Sequence, residues 1–130
     1  MADANGMRVG LIALPEGMPS TMTGLYDVLS SAGKVPTLEA PIVPAPFTVQ
    51  IVGERRGSLR MASGLPFDVP RSLAEVEAVD LVMIPSLVVE GGRWERGRHP
   101  ELVDWLGRMH DRGALLCSAC SGVFPIAETG

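Results

Sequence analysis

Cys120 lies where the chain passes from a strand pattern to a helix pattern. In ALLCSACSGVF, residues 114–124, apolar residues give way to small ones and then to a new apolar run. A sharp strand-to-helix turn forces its apex residue toward strained backbone angles and demands small neighbours, here Ala119, Ser121 and Gly122. The apex side chain then projects above the carboxyl end of the sheet, where ligands of open α/β sheets bind. A thiol in that place faces the amino end of the following helix, whose unpaired N–H groups and dipole favour a thiolate. The same N–H groups, that of Ser121 first, could hold an oxyanion or a carboxylate. The competing reading makes Cys120 a small buried residue that fills space, as free cysteines often do.

The remaining reactive residues carry weaker signals. Cys117 falls within the apolar strand and reads as core. Cys117 and Cys120 have the spacing of a redox pair, but in that motif the first cysteine opens a helix, and here it lies in a strand. A zinc site built from both cysteines with His99 and His110 would lack a second close pair of ligands, so no metal is expected. The chain has no GxGxxG and no phosphate-loop pattern, hence no expected nucleotide or other cofactor. Glu16 follows the first strand at its carboxyl end and could contact a ligand or the thiol, or be an exposed loop carboxylate. Gly91 and Gly92 follow a later strand and could present N–H groups across from Cys120, or be plain turn glycines. His99 falls in or just before a helix start, and His110 near the amino end of the strand leading to Cys120. Neither completes a Cys–His hydrolytic pair. The cluster Arg93, Arg96, Arg98 and His99 reads as a solvated loop in preference to an anion site.

These residues need elements to position them. MRVGLIAL, from Met7 to Leu14, has the near-continuous apolar pattern of a strand covered on both faces. After Pro15-Glu16-Gly17, Ser20 or Thr21 can cap a helix to about Ser31, with Leu25, Val28 and Leu29 inward and Gly33 as its stop. Lys34 to Pro46 reads as a loop. FTVQIV, Phe47 to Val52, alternates and is β-branched, a second strand. Ser58–Met61 and Leu65–Val69 suggest a small hairpin, Pro70–Val76 one or two helical turns, and Asp80–Pro85 another buried strand. Pro100 opens a periodic helix with Leu102, Val103, Leu106 and Met109 in its stripe and Trp105 at the edge. Ala114–Cys117 forms a short strand and Ser121–Glu128 a helix. Strands alternating with helices predict an α/β fold: a mostly parallel sheet between helical layers.

The chain has 130 residues, 46% hydrophobic and 20% charged, so one folded domain over 1–130 is expected and disorder is not. With few clear strands and an end straight after a helix, it reads as the front part of a longer domain. The formal net charge of -4 and the scattered basic residues argue against direct contact with nucleic acid or an anionic membrane. No run approaches the roughly 20 apolar residues of a membrane span. Two cysteines and no targeting segment give a reducing cytoplasm as the default.

The run from Leu116 to Gly130, LCSACSGVFPIAETG, resembles the DJ-1/PfpI superfamily of class I glutamine amidotransferase-like proteins. Within it, the match is closest to the amino-terminal domain of AraC-type transcription regulators. It extends to Met7–Leu14, to Asp27-Val28-Leu29, to Val79–Pro85 and to His99–Leu106. The resemblance implies a flavodoxin-like three-layer sandwich, usually a homodimer, with Cys120 at the nucleophile elbow and as the catalytic residue of any reaction. In the superfamily's enzymes a glutamate after the first strand hydrogen-bonds that cysteine. Alignment on Asp27-Val28-Leu29 puts this role at Thr21 and not at Glu16, so the acidic partner is missing. A histidine common in relatives would fall beyond Gly130, as would the family's helix-turn-helix module. The resemblance thus implies a ligand-sensing or regulatory domain that binds a small molecule and reaches DNA only through a carboxyl-terminal module. The alternative is a cysteine-dependent enzyme: an isocyanide hydratase, a glyoxalase-like activity or an amidase. A third reading is a purely structural or dimerisation domain, with Cys120 inaccessible.

Overall fold

A computed structural model describes residues 6–32 and 46–130. The expected helix stop at Gly33 and nearly all of the expected 34–46 loop lie outside the described residues. The first strand, β1 (Met7–Ala13), is followed by α1 (Pro19–Ser31) and β2 (Phe47–Gly53). A hairpin of β3 (Gly57–Arg60) and β4 (Pro66–Val69) follows, then β5 (Arg71–Ser72) and β6 (Leu81–Ile84). The chain continues through α2 (Pro100–Asp111), β7 (Leu115–Ser118) and α3 (Val123–Ala127).

The main sheet has the order β5-β2-β1-β6-β7, and each neighbouring pair is parallel. Chain order reverses at β1, because β2 pairs on one side of it and β6 on the other. That is the switch point where open α/β sheets form their crevice, beyond the carboxyl ends of the strands. The fold is the expected one: a mostly parallel sheet between helical layers, consistent with a flavodoxin-like sandwich.

β1 shows why the sheet is covered on both faces. Its side chains alternate, so Leu11 and Ala13 pack with Met22 of α1 and with Met61 and Val69 of the hairpin region. Ile12 and the following Leu14 pack on the opposite side with Leu102, Trp105, Leu106 and Met109 of α2. Each fully buried Leu or Ile of this kind contributes roughly 1.5–3 kcal/mol. No helix among the described residues is long and apolar enough to cross a membrane.

Several local details differ from the sequence reading. Val28 is 71% exposed, and Met22 is the residue α1 buries. That helix starts at Pro19 with no side-chain cap, because Pro at the first turn is preorganised. The Thr21 hydroxyl donates back to the Met18 carbonyl at 3.0 Å instead. Trp105 is core and not edge: its Nε1–H donates to the Val76 carbonyl at 2.9 Å. Cys117 is only half-buried, since β7 is the last strand of the sheet and has a neighbour on one side alone. Within Pro70–Val76, Arg71 and Ser72 pair with β2, and a single 3-10 turn, Leu73–Glu75, follows. Ser72 and Glu75 cap it reciprocally.

Candidate functional site

Cys120 sits at a genuine elbow. Its φ is 49°, and it is the non-glycine residue of positive φ among the described residues. Left-handed backbone costs a residue with a Cβ about 1–2 kcal/mol, so the surroundings must hold it in place. The thiol is exposed, which rules out the space-filling reading. Gly122 is the reason the turn can close: a Cβ there would overlap the carbonyl oxygens of Ile84 and Pro85. Ala119 N–H donates to the Ile84 carbonyl at 2.9 Å, tying the elbow to the end of β6.

Ser121 is a brace. Its hydroxyl accepts from the Leu87 N–H and donates to the Leu87 carbonyl, both at 2.7 Å. Leu87 also bridges to Gly17, and Val88 N–H donates to the Glu16 carbonyl at 2.7 Å. The three loops after β1, β6 and β7 are therefore stitched together. The helix beyond the elbow is shorter than expected: a 3-10 turn, Cys120–Gly122, precedes the five residues of α3. So short a helix supplies little of the dipole on which a stabilised thiolate was expected to depend.

The acid–base chemistry at this edge of the sheet lies elsewhere. β1 and β2 run in register with Ala13 opposite Gly53, so the residues just beyond them, Glu54 and Glu16, leave adjacent strand ends. Between them stands His99, 6% exposed, immediately before α2. Its Nε2 lies 2.9 Å from Glu16 Oε2, and its Nδ1 bonds Glu54 Oε1. Arg98 Nε is 3.5 Å from the other Glu16 oxygen. Two carboxylates can both be satisfied only if both ring nitrogens carry protons, so the geometry selects the imidazolium. The hydrogen bond His99 donates to Glu16 and then the one it donates to Glu54 raise its pKa to about 9, against the opposing effect of burial. For Glu16 burial acts upward most strongly, but the His99 hydrogen bond and the charges of His99 and Arg98 hold its carboxyl below the ordinary range.

The loop carrying Arg98 and His99 is pinned to the elbow's helix. Trp94 stacks on Phe124 with ring centroids 5.8 Å apart and planes 8° from parallel. Glu128 accepts from Trp94 Nε1 at 2.9 Å and from Gly97 N–H at 2.6 Å.

The predicted site residues thus separate. Cys120 and Ser121 share the elbow, and Glu16 is braced to it through the backbone of residues 87–88. Thr21 bonds its own helix. Gly91 and Gly92 have φ of 66° and 69°, and Gly92 N–H closes a turn onto Val89 at 3.2 Å, the behaviour of turn glycines. His99, Glu54 and Arg98 were the residues missed, and the basic cluster is a solvated loop only in part. The cue was the charged trio Glu54, Arg55 and Arg56 directly after an apolar strand.

Two cavities flank the Glu16–His99 pair. One, of about 270 Å³, is lined by His99, Glu54, Arg55 and Arg56 together with apolar residues of β1 and the hairpin. The other, of about 360 Å³, is lined by Glu16, Arg98, Arg60 and Met61 among others. Cys120 lines neither. Among the described residues no three His, Cys, Asp or Glu side chains converge as metal ligands.

No protein-family model matches this chain, and no curated protein matches it. Solved structures do. A THiJ/PfpI family protein from Pseudomonas syringae superposes with a TM-score of 0.70 at 12% identity, over 95% of this chain and 46% of that one. An AraC family transcriptional regulator from Pseudomonas putida gives 0.67 at 21% identity, over 92% and 59%. Oxidized Toxoplasma gondii DJ-1 gives 0.69 at 16% identity, over 95% and 61%. The chain therefore spans about half to three fifths of the length of these structures. Its fold is of the DJ-1/PfpI-like flavodoxin type, related to that of AraC-type regulators.

Proposed function

We propose that this chain is a ligand-sensing or regulatory domain of an AraC-type transcription regulator, which keeps the elbow cysteine without turning a substrate over. One observation carries the reading: the acid–base groups at the ends of β1 and β2 are spent on one another. A general base must hold a lone pair at the working pH. His99 donates both of its ring protons to Glu16 and Glu54, and Glu16 is bound in turn by Arg98. Such a cluster is suited to fixing loops at a crevice, where a small ligand can shift their arrangement. The domain would act as a homodimer, and contact with DNA would belong to a module outside these residues.

A screen of small metabolites by thermal unfolding tests this. A ligand at 100 times its Kd adds about 2.7 kcal/mol and raises Tm by roughly 5–10 °C. The reading predicts such a rise with no product formed. Steady turnover that vanishes in Cys120→Ser would overturn it.

The second reading, a cysteine-dependent enzyme of this superfamily, draws on the exposed thiol at φ 49°. It requires alkylation of Cys120 by iodoacetamide at pH 7 to run many-fold faster than that of free cysteine. An ordinary rate removes its support.

A further inference from the structure

We infer that the cavity of about 270 Å³ between the end of β2 and the β3–β4 hairpin is a binding site for a small aliphatic carboxylate. This deepens the ligand-sensing reading and shares its premise that the domain binds a small molecule. It moves the ligand away from Cys120.

The cavity has two unlike ends. Leu14 and Val69 on its lining are buried, with Leu59 half-buried beside them, and together they offer apolar surface to a hydrocarbon tail. Arg55 and Arg56 line the same space with side chains 80% and 66% exposed. Their protein partners are loose: Glu101 at 3.9 Å from Arg55 and Glu75 at 3.4 Å from Arg56. A planar guanidinium with donors to spare is matched by a carboxylate, which it binds through two parallel hydrogen bonds.

The charge of the lining narrows the class. Three cationic side chains, Arg55, Arg56 and His99, face one carboxylate, Glu54. His99 spends its protons on Glu16 and Glu54, so the cations a ligand can meet are Arg55 and Arg56, each with one acidic neighbour. The lining's net charge is therefore +2, which favours an anion, and the apolar wall decides its kind. A phosphate dianion would meet Glu54 and would find beside it an apolar wall in place of further donors. The volume lies just under the roughly 300–1,000 Å³ of sites for drug-sized ligands, so the occupant is small.

Titration of the intact chain with butyrate, followed by NMR, tests the site. Saturable shifts are expected in residues 53–59 and 69. Arg55→Gln/Arg56→Gln, both on exposed side chains, should weaken binding about tenfold or more, while Cys120→Ser leaves it unchanged. Butyramide, the neutral isostere, should not compete. No saturable binding of butyrate or isovalerate, an unchanged affinity in the double variant, or equal binding of butyramide or inorganic phosphate would each overturn the inference. Binding lost in Cys120→Ser would overturn it too, yet would leave the sensing reading standing with its ligand at the elbow. Conversion of the carboxylate to product would count against the sensing reading instead.

Discussion

The imidazole Nε2 of His99 lies 2.9 Å from a carboxylate oxygen of Glu16, joining residues 83 positions apart. The glutamate after β1 serves a histidine. The carboxylate thereby anchors the loop before α2, and the thiol of Cys120 is left exposed to solvent.

That pairing makes stability depend on pH in a defined direction. The folded pKa of His99 is raised, from 6.5 to about 9, so its contribution is complete below about 6.5 and fades as pH rises through 9. The shift corresponds to on the order of 3 kcal/mol. Glu16 is shifted down, so on the acid side stability present above about 4.5 is lost as pH falls through its lower folded value. Urea unfolding between pH 6 and 10 should show this alkaline decline in the wild type. Glu16→Gln should be less stable at pH 6 by about 1–3 kcal/mol and should decline less steeply. A parallel profile in the variant would contradict the assignment.

Cys120→Gly should keep or raise stability, by up to about 1 kcal/mol, because glycine adopts the positive φ without strain while losing more chain entropy on folding. Cys120→Val, with its branched Cβ, should lose about 1–2 kcal/mol. Equilibrium unfolding of the two variants reads the elbow's strain directly. Equal stability of both would mean the residue is not held in the left-handed region.

Gly122→Ala should be far more damaging than its single methyl suggests. The added carbon meets backbone carbonyls of Ile84 and Pro85, which cannot rotate away, so a loss above about 3 kcal/mol or failure to fold is expected. Ser121→Ala should cost about 1–3 kcal/mol by stranding the Leu87 N–H. Thermal unfolding ranks the two.

The fold was largely legible in the sequence because its signals are local. β1, β2, β6 and β7 are short apolar runs with clear stops, and Pro100 marks the start of α2 within its own turn. The elbow was legible for the same reason: Ala119, Cys120, Ser121 and Gly122 are consecutive, and their smallness is the requirement. Burial along helices was read less well. Val28 and Trp105 exchange the roles expected of them because α1 covers the sheet near β1 and β2 through Met22, while the large indole fills the space over the glycine of β1 at position 10. The His99 cluster left only a faint cue, the charged residues directly after β2. Glu54 lies 45 residues from His99 and Glu16 83 residues from it, so only the strand register brings them together.

The protonation state of His99 is the sharpest test of the claim that the acid–base groups beyond β1 and β2 leave no free imidazole base. Long-range ¹H–¹⁵N NMR of the imidazole distinguishes one protonated nitrogen from two. The account predicts a doubly protonated ring at pH 7.5 that titrates near 9. A neutral ring at that pH, titrating near 6.5 with a lone pair available, would contradict it and restore the enzyme reading.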